Sequence, residues 1–275
     1  MSGAGAALAG RTVLVARDVD RAGRLRLRLE SLGAKVVVSP VTRTAAGDED
    51  ALDAAVGRLA SFDWVVVTSV NAVAALASAA QRVGVSLAGA PGDVSRVTGP
   101  RWAAVGPATA TALAGLGLAV GIEPENHSAA GLVAAFAEAS EGRGQKVLLP
   151  LGDLAASALA DGLRGLGYGV ETVVAYRTVP AAVPDDVRQM WAAGRVDAVV
   201  VAAGSAARQL AAQLGRNERV AVVAIGEPTA AVARECGLRV DAVASAATDD
   251  AVADAVVGVL AVPGGLRFST GSLRL

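Results

Sequence analysis

The sequence predicts an α/β protein built of two similar domains, and three observations carry the prediction. The first is a repeat. Arg11-Thr-Val-Leu-Val-Ala-Arg17-Asp18, leading to Leu32-Gly33-Ala-Lys-Val36, returns 134 positions later as Gln145-Lys-Val-Leu-Leu-Pro-Leu151-Gly152-Asp153, leading to Leu166-Gly167-Tyr-Gly-Val170. The same offset relates Asp63-Trp-Val-Val-Val-Thr-Ser69-Val-Asn71 to Asp197-Ala-Val-Val-Val-Ala-Ala203-Gly-Ser205. A third pair, Val105-Gly106-Pro-Ala-Thr109-Ala110 and Ile225-Gly226-Glu-Pro-Thr229-Ala230, lies 120 apart, and a Gly/Pro-rich loop over 84–100 accounts for the slip. The second observation is that short β-branched runs alternate with Ala/Leu/Arg-rich helical periods, the pattern of open sheets with right-handed crossovers. The third is that several of these runs are apolar at every position, as parallel strands covered on both faces are. A duplicated chain of this kind is expected to turn both domains toward one site.

In chain order, the runs predict a strand over 13–16, a helix over 21–31, a strand over 36–39, a helix over 50–61, a strand over 64–68 and a helix over 71–81. A strand over 103–105, helices over 108–115 and 129–140, a strand over 147–150, a helix over 155–166 and a strand over 170–175 follow. The last third reads as helix 185–193, strand 198–201, helix 205–214, strand 220–225, helix 229–236, strand 240–243 and helix 249–260. Gly33, Gly117 and Gly167, each after a Leu that closes a helical period, and Gly237, after Cys236, fit left-handed helix caps. Turn residues mark 45–50 and 178–186 as linkers, and the Gly/Ser-rich stretch 263–275 reads as an unpacked tail.

Composition narrows the function. With 275 residues, 53% of them apolar, the chain is long enough for two full cores. Charged or turn-forming residues break each apolar run well short of the roughly 18 residues a membrane span requires. Residues 1–10 lack a basic start, so no secretory signal is read and a cytoplasmic protein is expected. One cysteine, Cys236, and one histidine, His127, leave no cluster for zinc or a transition metal, so metal catalysis is not expected, with a magnesium on carboxylates alone left open. A net charge of −1 and few aromatic residues argue against a nucleic-acid surface. Cys236, with no basic neighbour, reads as a structural thiol.

In open α/β sheets, ligands bind beyond the carboxyl ends of the strands. There the copies agree best. Gly106-Pro107-Ala108-Thr109 and Gly226-Glu227-Pro228-Thr229 have the form of strand-to-helix turns, with Pro in the first helical turn and a Thr hydroxyl beside free N–H groups. Thr68-Ser69-Val70-Asn71 and Ala203-Gly204-Ser205 open two further helices. Such turns suit carboxylates or phosphates, or serve simply as caps. Neither copy carries a dinucleotide or Walker glycine loop in the required context, which disfavours a nucleotide or sugar-phosphate enzyme. His127 reads as a loop or cap-region residue. Tyr176, in Val-Val-Ala-Tyr-Arg-Thr at the end of a strand entering a linker, is the candidate for chemistry, with hinge packing as the competing explanation.

Taken together, these segments resemble the uroporphyrinogen-III synthase family from about Gly10 to Leu260. The carrying residues are Val-Leu-Val-Ala-Arg17, Asp63-Trp-Val-Val-Val-Thr-Ser69-Val-Asn-Ala-Val, Ala-Val-Gly106-Pro-Ala-Thr109-Ala, Val-Leu-Leu-Pro-Leu-Gly-Asp153, Val-Val-Ala-Tyr176-Arg-Thr and Ile-Gly226-Glu-Pro-Thr229-Ala. The resemblance implies two flavodoxin-like parallel-sheet domains joined by a two-stranded linker. Residues 1–39 and 178–262 would form one domain, 40–177 with the linker strands the other, and 263–275 a tail. It implies cyclisation of the linear tetrapyrrole hydroxymethylbilane to uroporphyrinogen III, with loss of water and inversion of ring D, and with no cofactor. Tyr176 matches the family tyrosine proposed to assist departure of the hydroxyl. Substrate contacts are expected from Arg17, Ser69, Asn71, Gly106, Thr109, Ala203, Gly204, Ser205, Gly226 and Thr229. Hydroxymethylbilane synthase is the candidate transient partner, and the protein itself is expected to be a monomer. The pattern also departs from the family: Leu151 stands where an Arg is common, and Ala202-Ala203 where Thr-Ser is usual. The alternative is therefore a non-catalytic tetrapyrrole-binding or regulatory module on the same fold.

Overall fold

A computed structural model describes residues 7–88, 99–139 and 144–260 of the chain. Most of the expected loop 84–100, residue 140 of the expected fifth helix, and the tail 263–275 lie outside the described residues. The elements run β1 (Thr12–Ala16), α1 (Val19–Ser31), β2 (Lys35–Val38), β3 (Thr42–Ala46), α2 (Glu49–Gly57), β4 (Trp64–Val67), α3 (Val70–Val83), β5 (Arg101–Ala104), α4 (Pro107–Ala114), β6 (Val120–Ile122), α5 (Ala129–Glu138) and β7 (Lys146–Gly152). They continue with α6 (Ala158–Gly165), β8 (Gly169–Pro180), α7 (Asp185–Ala192), β9 (Ala198–Val201), α8 (Gly204–Leu214), β10 (Ala221–Ala224), α9 (Glu227–Glu235), β11 (Val240–Val243) and α10 (Asp249–Leu260).

The chain divides into two compact units, 1–43 with 179–275, and 44–178. In the first, the strand order is β11-β10-β9-β1-β2, all parallel. Read from β2, this is the flavodoxin-like 2-1-3-4-5 order. The second has the order β3-β8-β7-β4-β5-β6, parallel from β8 to β6. Its edge strand β3 runs antiparallel, since Ala181 N–H donates to Val41 C=O and Asp48 N–H to Val174 C=O.

The repeat explains both orders. Strands β1 and β2 of the first copy correspond to β7 and β8 of the second, and β4, β5 and β6 to β9, β10 and β11. Each sheet takes the leading pair from one copy and the trailing three from the other. Even register follows the offsets: Val13 pairs Ala198 as Val147 pairs Trp64. The irregularity between Val222 and Val223 on β10 recurs between Trp102 and Ala103 on β5.

Alternate residues of each central strand feed opposite cores. In the first unit Val13 and Val15 join α1 and α10, while Leu14 and Ala16 join α7, α8 and α9. Helix α1 shows the local logic. Ala22, Leu25 and Leu29 repeat at helical spacing and are buried, Asp18 caps the N-terminus by accepting from Asp20 N–H, and Gly33 (φ 95°) turns the chain into β2. The other three expected cap glycines also adopt positive φ. In the second unit Val65 and Val67 face α2, α3 and α4, and Trp64 and Val66 face α5 and α6. There Phe136 stands edge-on to Trp64 (5.1 Å) and Tyr168 (5.3 Å) and is 1% exposed. Phe136→Ala is expected to cost about 3–5 kcal/mol, read as a shift in the denaturant midpoint.

Several boundaries differ from the expectation. The stretch 45–50 is not simply a linker: Ala45 and Ala46 end β3, and Asp48 caps α2 by accepting from Ala51 N–H at 3.0 Å. Residues 178–180 complete the long strand β8. Helix α6 begins at Ala158, not 155, because β7 runs on to Gly152 and a turn closed by Ala155 N–H to Gly152 C=O follows. The expected helix 50–61 stops at Gly57, with a separate 3-10 turn at Leu59–Ser61. Strand β6 was not expected from the sequence. No described helix is long and apolar enough to cross a membrane.

Candidate active site

A ligand crevice forms in a doubly wound sheet where successive helices leave adjacent strands toward opposite faces. In the second unit that point lies between β7 and β4: α6 packs on one face and α3 on the other. Two of the residues emerging there are Gly152, at the end of β7, and Ser69, just beyond β4. Tyr176 joins them from β8, where a register shift between Leu151 and Gly152 sets Gly152 opposite Tyr176.

The hydroxyls form a chain. Ser69 is the N-cap of α3, and its Oγ accepts from Ala72 N–H at 3.1 Å. The Ser69 hydroxyl donates to the Tyr176 oxygen at 3.1 Å. The backbone of Tyr176 is held from the neighbouring turn. Asp153 N–H donates to Tyr176 C=O at 3.1 Å, and the Asp153 carboxylate accepts from Thr178 N–H at 2.9 Å. Gly152 makes room for the ring: a Cβ there would lie 2.6–2.8 Å from Cζ, Cε2 and the hydroxyl of Tyr176.

Tyr176 also walls a cleft of about 430 Å³ running along α3 beside β3 and α2. Asn71 stands near one end, donating to Thr44 Oγ1 at 3.3 Å. At the other, Arg82 makes a forked pair with Asp53 and a 3.0 Å contact with Glu49. The hydrogen bonds from Arg82 hold the Asp53 carboxyl below its ordinary range, and Asp53 raises Arg82 in turn.

Gly106 opens α4 with an extended backbone (φ 176°), so its conformation does not require glycine. A Cβ there would meet Cβ and Cγ of His127 at 3.1 Å, a tight contact that the His127 side chain would have to ease, and His127 Nδ1 lies 2.9 Å from Pro124 C=O. Thr109 is 4% exposed and its N–H bonds back to Gly106 C=O; Thr229, at 7%, repeats the arrangement with Gly226. The amides of the two threonines are thus engaged within their own turns. Among the described residues a Cβ at Gly226 would meet only Pro228 Cδ, at an ordinary 3.9 Å.

In the first unit, Arg17 pairs with Asp249 at 2.9 Å, in the first turn of α10, so its charge has an internal partner. Ala203 has the backbone of Ser69 to within a degree (φ −158°, ψ 152° against −157°, 152°) but no side chain to cap α8. Ala203→Ser should therefore gain a cap worth about 1 kcal/mol, seen as a higher midpoint of unfolding. Gly204 is explained by packing: a Cβ would come within 3.0 Å of Val232 on α9. Ser205 is half-buried in the first turn of α8. Leu151 packs against the core under α5 and α6. Among the described residues no group of three or more His, Cys, Asp or Glu is placed to hold a metal.

Sequence reasoning did not single out Gly152, Asp153 or Thr44 as site residues. A signal existed only for the first two, in the Leu-Gly-Asp run that the other copy carries as Arg17-Asp18-Val19.

Comparison with known proteins follows the same lines. The fold is similar to a variant uroporphyrinogen III synthase from the extremely thermophilic bacterium Thermus thermophilus, 21% identical, with 90% of this chain and 96% of that one aligned and a TM-score of 0.58. A uroporphyrinogen-III synthetase from Helicobacter pylori is 15% identical, with 90% and 99% aligned and the same TM-score. At such identities the likeness concerns the fold. The family model described as uroporphyrinogen-III synthase HemD matches residues 23–254, a stretch that takes in strands of both sheets. The chain belongs to the uroporphyrinogen-III synthase family.

Proposed function

We propose that the protein is a uroporphyrinogen-III synthase, a cyclising hydro-lyase that converts hydroxymethylbilane to uroporphyrinogen III with loss of water and inversion of ring D. The observation that carries this reading at the level of the site is the hydroxyl chain in the switch-point crevice. Ala72 N–H donates to Ser69, Ser69 donates to Tyr176, and the phenolic proton is left to donate outward. Each donor polarises the next, so the chain favours negative charge developing on the phenolic oxygen.

In the reaction, Tyr176 donates its proton to the departing hydroxyl, which leaves as water, and the bilane becomes an azafulvenium cation. The substituted α-carbon of ring D attacks the cationic methylene to give a spiro intermediate. The bond joining ring D to its former methylene then breaks, and the free α-carbon of ring D closes on that methylene. The proton lost at this last step balances the one given up by Tyr176. General acid assistance of this type contributes about 10²–10⁴-fold. The rest of the task is positional, because direct closure competes and gives the type I isomer.

The eight substrate carboxylates suit backbone donors at the strand-to-helix turns. We assign the turns at Asn71, Gly106 and Thr109 and, in the first unit, at Ala203, Gly204, Ser205, Gly226 and Thr229 to substrate binding, with Arg17 available if a carboxylate displaces Asp249. In the same reading the enzyme works in the cytoplasm beside the hydroxymethylbilane synthase that supplies its substrate.

The test is to generate hydroxymethylbilane freshly, oxidise the products and compare type III with type I uroporphyrin against an enzyme-free control. An enzyme-dependent excess of type III is expected. Type I alone, with folded protein, would favour a tetrapyrrole-binding module without turnover.

A further inference from the structure

The cleft beside Tyr176 has a volume of about 430 Å³. Ligand pockets run from roughly 300 to 1,000 Å³, so this one is sized for part of a linear tetrapyrrole. Five of its lining residues are alanines. Ala45 and Ala46 come from β3, Ala74 and Ala75 from α3, and Ala175 precedes Tyr176 on β8. Larger side chains at these positions would narrow the space, and Ala74 is exposed on α3. The lining on α3 extends from Asn71 to Arg82, a rise of about 16 Å at 1.5 Å per residue. Along α3, Asn71 and Arg82 mark the two ends of the lining, with Ala74, Ala75 and Ser78 between them.

Resting on the synthase reading above, we propose that this alanine-walled cleft is the space in which ring D turns over, with the small residues, Ala74 foremost, determining the isomer formed. Inversion demands more room than direct closure. Ring D must bond through its substituted α-carbon, release its former methylene and present its opposite α-carbon, all while its acetate and propionate arms sweep past the wall. Direct closure requires none of that motion. A cleft bounded by Tyr176 puts the free volume next to the residue assigned to the leaving hydroxyl, where ring D must arrive. No chemical step is added to the mechanism; the wall decides which of two closures the bound cation can reach.

Single-turnover reactions with enzyme in excess over freshly generated hydroxymethylbilane test this, because all product then comes from bound substrate. Ala74→Leu fills the cleft with a side chain that helices accept nearly as well as alanine. Its product ratio of type III to type I should fall about tenfold, equivalent to about 1.4 kcal/mol between competing barriers. Its melting temperature should be unchanged, as should the ratio for Gln81→Leu, an exposed position on α3 outside the lining. An unchanged ratio in Ala74→Leu, or an equal fall in Gln81→Leu, overturns the proposal. If the wild-type protein itself makes no type III, the synthase reading falls first and this inference with it.

Discussion

Tyr176→Phe is expected to reduce the rate of type III formation by about 10²–10⁴-fold, the usual contribution of a positioned general acid, with little change in stability. The ring packs against the core under α2, α3 and α4, and phenylalanine preserves that packing while removing the proton. Gly152→Ala should reproduce much of the loss with the tyrosine intact. A Cβ at 2.6–2.8 Å from the end of the ring must push it aside, breaking the 3.1 Å contact with Ser69. Because the atoms displaced belong to the far end of a half-buried side chain, the fold should tolerate the change. Single-turnover rates beside denaturation midpoints separate the two effects. A Gly152→Ala protein with normal turnover would show that the ring position is immaterial.

Gly47→Ala is expected to lower stability and activity together. A Cβ at Gly47 would lie 2.0 Å from Val174 O, 2.6 Å from Ala175 C and 2.7 Å from Tyr176 N. All three are backbone atoms of β8, so relief requires β3 to move away from its partner strand. Overpacking costs typically about 1–3 kcal/mol and more where backbone must shift, and the upper end or beyond is expected here. The same displacement acts on the strand that carries Tyr176, so activity should fall with stability. Gly57→Ala is the matched control: it lies at the end of α2, and a Cβ there meets nothing within 4 Å. Equal midpoints for the two variants would contradict the close approach of β3 and β8.

How much of this was legible in the sequence depended on burial. Strands β4 and β9, Trp64-Val-Val-Val and Ala198-Val-Val-Val, are buried at every residue, and an unbroken apolar run announces such strands. Strand β3, Thr-Arg-Thr-Ala-Ala, lies on a sheet edge with no residue fully buried, so its composition resembles a loop and only the family's two-stranded linker pointed to it. Strand β6 has three residues about Gly121, too few to show a period. The repeat revealed the equivalence of Ser69 and Ala203, and the identical backbone at the two positions makes their chemical difference interpretable. Other features depend on tertiary geometry. Gly152 matters because a register shift places it opposite the Tyr176 ring, and Arg17 meets Asp249 from across the sequence. Neither relation leaves a local pattern.

If Ser69 acts through Tyr176 as one donor chain, a double-mutant cycle on single-turnover type III formation reads the coupling between them. Ser69→Ala should fold, since Ala203 occupies the same backbone conformation in the sister helix. In the presence of Tyr176 it should slow the reaction roughly ten- to hundredfold, the scale of one hydrogen bond to a developing charge. In the Tyr176→Phe background it should cost almost nothing, because no phenolic oxygen remains to receive the bond. Equal losses in both backgrounds would mean that Ser69 and Tyr176 act separately, and the donor chain would be wrong.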